Sequence, residues 1–108
     1  MKMLLLVLLG ASTQAAGAAP VSLECNLSTK VWRLVLNEQA GFVDWSVDGT
    51  GLSDRVPAVF EADLVRFNVG SATVEVSRVD LSLRTSVGGG AETREGKCRI
   101  ATRRKRVF

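Results

Sequence analysis

From Val21 onward the chain alternates apolar and polar residues with a period of two, and the alternation is broken every few residues by Gly, Asn, Asp or Ser. That period places successive side chains on opposite faces of an extended backbone, so each segment has one face to bury and reads as a short β-strand. Val21, Leu23, Cys25 and Leu27 form a first inward row, with Ser22, Glu24 and Asn26 opposite. Trp32, Leu34 and Leu36 form the second, and Val31 and Val35 make that strand partly apolar on its other face. Val43, Trp45 and Val47 alternate with Asp44, Ser46 and Asp48, and Asp48-Gly49-Thr50-Gly51 ends the strand with residues that tolerate positive φ.

Residues 56–60 read as a short strand. Pro57 has no amide hydrogen, which predicts an edge strand or a loop there. Residues 60–63 are the best candidate for a short helical turn. Val65, Phe67 and Val69 then share a face as far as Gly70-Ser71, and Ala72, Val74 and Val76 continue the pattern. Parity flips at Val79, Leu81 and Leu83, so Ser77-Arg78 is expected to hold a bulge or tight turn. Gly88-Gly89-Gly90 reads as a loop tip. The last strand carries Cys98, Ile100 and Thr102 inward and Arg99, Ala101 and Arg103 outward. About seven short strands joined by brief turns predict an all-β domain: a small antiparallel barrel or a two-layer sandwich.

Residues 1–18 fall outside that pattern. Lys2 is followed by an apolar run and then by small residues, with Ala16 and Ala18 in the small-x-small arrangement that precedes signal cleavage. The apolar run is shorter than the roughly 20 residues a membrane-crossing helix needs. A cleaved secretory signal over 1–18 and a single β-domain over 19–108 are therefore expected, with the mature chain periplasmic or secreted. Cys25 follows Leu23-Glu24 rather than a small residue, so no lipid anchor is expected.

Outside the reducing cytosol, the only two cysteines, Cys25 and Cys98, are expected to form a disulfide between the first and last strands. A loop of that length corresponds to about 4 kcal/mol in the chain-entropy account, a large share of the roughly 5–15 kcal/mol by which domains are stable.

The chain has no histidine. Triads built on Ser or Cys with His cannot be assembled, and the commonest general base at neutral pH is missing. Zinc would have to rely on two thiolates and carboxylates, an unfavourable set, and no metal or other cofactor is expected. Asp44, Asp48, Asp54, Glu61 and Asp63 cluster in sequence, but their spacing lacks the alternating ligands and distal Glu of an EF-hand calcium loop. Asp and Gly at Asp48-Gly49-Thr50-Gly51 are better read as serving backbone geometry. No catalytic residue is assigned and the chain is read as non-enzymatic. Trp32 and Trp45, on inward rows of neighbouring strands, are expected to pack against each other as core.

Charge is segregated. Residues 19–93 hold six basic and ten acidic side chains, a balance of −4, whereas residues 94–108 hold seven basic and one acidic, a balance of +6. Arg99, Arg103, Arg104, Lys105 and Arg106 are the candidate contact residues for a polyanion or acidic protein, through long-range attraction and counterion release. Two bland readings stand beside that one. Cations protect strand edges from pairing with other chains, and a basic segment can lie over an acidic body. Nucleic acid is disfavoured, because the cluster has no aromatic neighbour except Phe108 and Tyr is absent from the chain.

Four short stretches also resemble a layout found in small exported bacterial proteins of unassigned function. These are Cys25 in the first strand, Phe60-Glu61-Ala62-Asp63-Leu64-Val65-Arg66-Phe67 at the centre, Gly96-Lys97-Cys98 near the end, and Lys105-Arg106-Val107-Phe108. The resemblance implies a disulfide-closed β-domain and transfers no catalytic residue. The expected function is binding, through the basic C-terminal segment, to an acidic partner or envelope polyanion. The alternative is a hydrolase inhibitor presenting residues 49–54 or 86–93 as rigid loops on a disulfide-tied scaffold.

Overall fold

The computed structural model describes residues 19–90 and 92–101. Within them, eight antiparallel strands follow one another around a closed barrel: β1 Val21–Leu27, β2 Lys30–Asn37, β3 Phe42–Val47, β4 Ser53–Phe60, β5 Leu64–Val69, β6 Ala72–Ser77, β7 Ser82–Val87 and β8 Glu92–Ile100. Each strand pairs with its sequence neighbour, and β8 closes the cylinder by pairing with β1. No helix occurs among the described residues, and none there is long and apolar enough to cross a membrane.

The inward rows are those the alternation predicts. Leu23, Cys25, Leu34, Val43, Val65, Phe67, Val74, Val76 and Leu83 are buried and form one continuous core. An eight-stranded barrel is just wide enough for side chains to fill, and Phe67 is the largest fully buried side chain among the described residues. Trp32 and Trp45 pack as expected, with ring centroids 5.6 Å apart and planes tilted by 34°, but both are only partly buried.

The expected disulfide is present. Cys25 and Cys98 stand directly opposite each other on β1 and β8, 73 residues apart in sequence, with Cα atoms 3.9 Å apart. Two residues before Cys98, Gly96 lies where the β1 backbone passes so closely that a β-carbon would overlap the carbonyl group of Asn26. The Gly-x-Cys spacing thus places a side-chain-free position beside the crosslink, at the seam where the cylinder closes.

Three expectations are corrected. Pro57 lies inside the eight-residue strand β4, opposite Phe42 of β3, and the closed sheet has no edge strand. Ala58 donates its N–H to Gly41 of the β3 side, so the nitrogen of Pro57 faces β5; the β4–β5 ladder begins only at Ala58, and no ladder bond is lost. Residues 60–63 form no helical turn; Glu61 N–H bonds Leu64 O and closes a tight connection. Val79 belongs to the turn between β6 and β7, 79% exposed, and does not join the inward row of Leu83.

Candidate functional site

Outward positions on facing strands carry charges of alternating sign. Glu24 stands opposite Arg33 on one side and Arg99 on the other, and its carboxylate bonds both. Arg33 also holds Asp48 through a two-pronged contact at 2.8 and 2.9 Å. Asp44 and Arg55 are opposite and bonded, with the Arg55 guanidinium 3.9 Å from the centre of the Phe42 ring. On the other half of the barrel, Arg66, Glu75, Arg84 and Glu95 face one another in register across β5 to β8, and Arg66 bonds both Glu75 and Glu61. Pairing with arginine holds the carboxyls of Asp44, Asp48 and Glu38 below the usual carboxylate range, chiefly through side-chain hydrogen bonds. These charged rows are the reverse of the apolar exterior of barrels that span membranes.

The sequence-predicted contact residues divide accordingly. Arg99 is outward and 74% exposed at its side chain, but it is engaged by Glu24. Arg103, Arg104, Lys105 and Arg106 lie outside the described residues. The two candidate inhibitor loops are shorter than expected, because β4 already begins at Ser53 and β7 runs to Val87.

One open end of the barrel forms an apolar concavity. Val21, Leu36, Phe60, Val76, Leu81 and Ile100, each near a strand end, line an apolar cavity of about 220 Å³ there. Arg78 crosses its rim. The guanidinium donates to both carboxylate oxygens of Glu38, at 2.8 and 3.3 Å, and to the carbonyl oxygen of Glu61 at 2.8 Å. One side chain thus ties together the β2–β3, β4–β5 and β6–β7 connections. Leu81 is held in the left-handed region at φ 61°, an uncommon conformation for a bulky residue. Its N–H bonds Ser77 O and its carbonyl accepts from Cys98 N–H, which fixes the side chain at the cavity wall.

The β6–β7 turn is organised by its polar residues. Ser77 Oγ accepts from the N–H groups of Val79 and Asp80, and Asp80 Oδ1 accepts from Ser82 N–H. Hydrogen bonds from Ser82, side chain and backbone, and from Ser77 lower the Asp80 carboxyl to a pKa of about 2.

Sequence reasoning missed this mouth and the Arg78 clamp. Arg78 and Glu38 are 40 residues apart, so no local pattern links them. The available signal was weaker: apolar residues of inward parity, Val21, Leu36, Phe60 and Ile100, recur at strand ends. Among the described residues, no three of His, Cys, Asp and Glu converge as metal ligands would. No protein-family model, curated protein or solved structure matches this chain, so its site has to be read from its own geometry.

Proposed function

We propose that the mature chain is an exported, non-catalytic binding domain whose contact surface is the basic C-terminal segment, Arg103, Arg104, Lys105 and Arg106, and whose partner is an acidic protein or an envelope polyanion. One observation carries the reading. On the barrel, Arg33, Arg55, Arg66, Arg78, Arg94 and Arg99 each bond a carboxylate, so the body largely neutralises its own cations. The dense cation run that follows residue 101 is the excess that long-range attraction would act on. The non-catalytic part is supported by the absence of histidine and by the carboxyl groups with resolved shifts, all of which move downward. A general acid would need the opposite shift.

The test is binding of mature chain to heparin, as a polyanion probe, and to lipopolysaccharide across a salt series. Affinity should fall steeply with salt, and replacing Arg103, Arg104, Lys105 and Arg106 with Ser should remove most of both affinity and salt slope. Unchanged binding by the four-fold variant would overturn the reading.

A further inference from the structure

At the other open end of the barrel, two cations occupy inward positions. Lys30 stands opposite Leu27 across β1 and β2, and Arg94 stands opposite Thr85 across β7 and β8; Leu27 and Thr85 are both buried. Directly opposed residues of an antiparallel pair project from the same face of the sheet, so Lys30 and Arg94 belong to the interior side and not to the charged outer rows. Both line a cavity of about 260 Å³ whose apolar walls are Leu27, Trp32, Val47 and Leu52. The surroundings hold that arrangement in place. Ser28 adopts φ 58°, a left-handed conformation uncommon for a residue other than glycine, and its Oγ accepts from Arg94 Nη1 at 3.3 Å. Thr50 Oγ1 donates to Val47 O at 2.8 Å and accepts from Leu52 N–H at 3.0 Å, which fixes the turn that carries Leu52. Leu52 is nonetheless 58% exposed, apolar surface that an occupant of the cavity would remove from water.

The carboxylates at this end are already engaged. Arg33 holds Asp48, Arg94 holds Glu92 at 3.2 Å, and Asp54, which lines a separate groove with Arg33, Val35 and Asp44, accepts from Arg55 N–H. Lys30 bonds no carboxylate among the described residues, so Lys30 and Arg94 less Glu92 leave the cavity one net positive charge. We propose that this cavity is a binding site for a small aromatic monoanion, with its ring against Trp32 and Leu52 and its acid group between Lys30 and Arg94. The site shares no residue with the basic C-terminal segment and does not depend on that segment's function. Trp32 packs on Trp45 with ring centroids 5.6 Å apart, which gives the cavity a supported aromatic wall for offset stacking. An apolar cavity of about 150 Å³ holds benzene, so about 260 Å³ accommodates one or two rings. A single net positive charge calls for a single acid group, which Lys and Arg hold through charge-assisted hydrogen bonds.

The test is an NMR titration of the full mature chain with 2-naphthoate, read at the indole N–H and methyl resonances. Trp32 and Trp45 are the chain's two tryptophans, so each indole signal is assignable. Trp32 and the methyls of Val47 and Leu52 should shift saturably, while Val76 and Leu81 at the opposite mouth stay in place. 2-Naphthalenemethanol, which has the same rings and no charge, should bind on the order of tenfold more weakly, the weight of one hydrogen bond to a charged group. Lys30→Gln and Arg94→Gln should each lower naphthoate affinity by a similar factor, and Arg94→Lys, which keeps the charge, by less. Replacing Arg103, Arg104, Lys105 and Arg106 with Ser should leave naphthoate affinity unchanged. No saturable shift at Trp32, or shifts at the mouth methyls instead, would overturn the site. Equal affinity for the alcohol, or unchanged naphthoate binding in both Gln variants, would overturn the anion assignment. Loss of naphthoate binding in the four-fold Ser variant would hand the acid group to the basic segment and overturn the role of Lys30 and Arg94.

Discussion

Cys25 and Cys98 face each other across the β1–β8 seam, so the covalent link and the hydrogen-bonded closure of the barrel coincide. The seam is the pairing of greatest sequence separation, and it carries the largest chain-entropy cost to close. A crosslink at that place restricts the unfolded chain most.

Replacing both cysteines with Ser should therefore cost about 4 kcal/mol on the chain-entropy account. For a domain of this size, each kcal/mol lowers Tm by roughly 4–8 °C. Thermal unfolding of oxidised wild type against the double variant checks the value. A Tm difference of a few degrees would mean that the unfolded chain keeps its ends close without the bond.

Gly96→Ala tests the seam from the steric side. The added β-carbon meets the Asn26 carbonyl, which is backbone and cannot swing away. A loss of about 1–3 kcal/mol is expected from such overpacking, read by denaturant unfolding. Gly49→Ala, where nothing lies within 4 Å but φ is +80°, should cost only the backbone conformational preference.

Arg78→Ala should loosen the mouth more than the barrel. Its guanidinium is the shared partner of Glu38 and the Glu61 carbonyl, and partial exposure limits the loss to about 1 kcal/mol. Hydrogen exchange should rise selectively at residues 38–41 and 61–63, with β1 and β6 unchanged. Uniform change across all strands would argue against a local clamp.

Stability should fall in acid along a defined course. Asp80, Asp44, Asp48 and Glu38 all have folded pKa values below their ordinary ones, so they bind protons more weakly folded than unfolded. Their contribution is complete above the unfolded pKa values near 4. It is lost as pH falls through the folded values, that of Asp80 being about 2. Tm should be nearly flat from pH 7 to about 5 and drop between about 4 and 2. Asp80→Asn should lie below wild type at pH 7 and converge with it near pH 2.

Side-chain direction along each strand was legible in the sequence, because alternation depends only on neighbouring residues. It set the inward rows of Leu23, Cys25, Leu34, Val43 and Phe67 and located the reversal between Val76 and Leu83. Pro57 was misread because its harmlessness depends on where the β4–β5 ladder starts, which is a property of two strands together. The apolar mouth and the Arg78 clamp stayed hidden for the same reason. Each joins residues whose proximity is created by register.

The amino-acid order by itself determined that this would be an all-strand domain with one buried face per strand and a crosslink between its ends, since period-two patterning acts through covalent neighbours and two cysteines allow one pairing. Tertiary structure alone decided that the sheet closes into a cylinder, that Glu24 sits between Arg33 and Arg99, and that Arg78 meets Glu38 and the Glu61 carbonyl at one open end. These depend on which strands pair and in what register, and that choice is made by the free energy of the whole barrel rather than by any local segment.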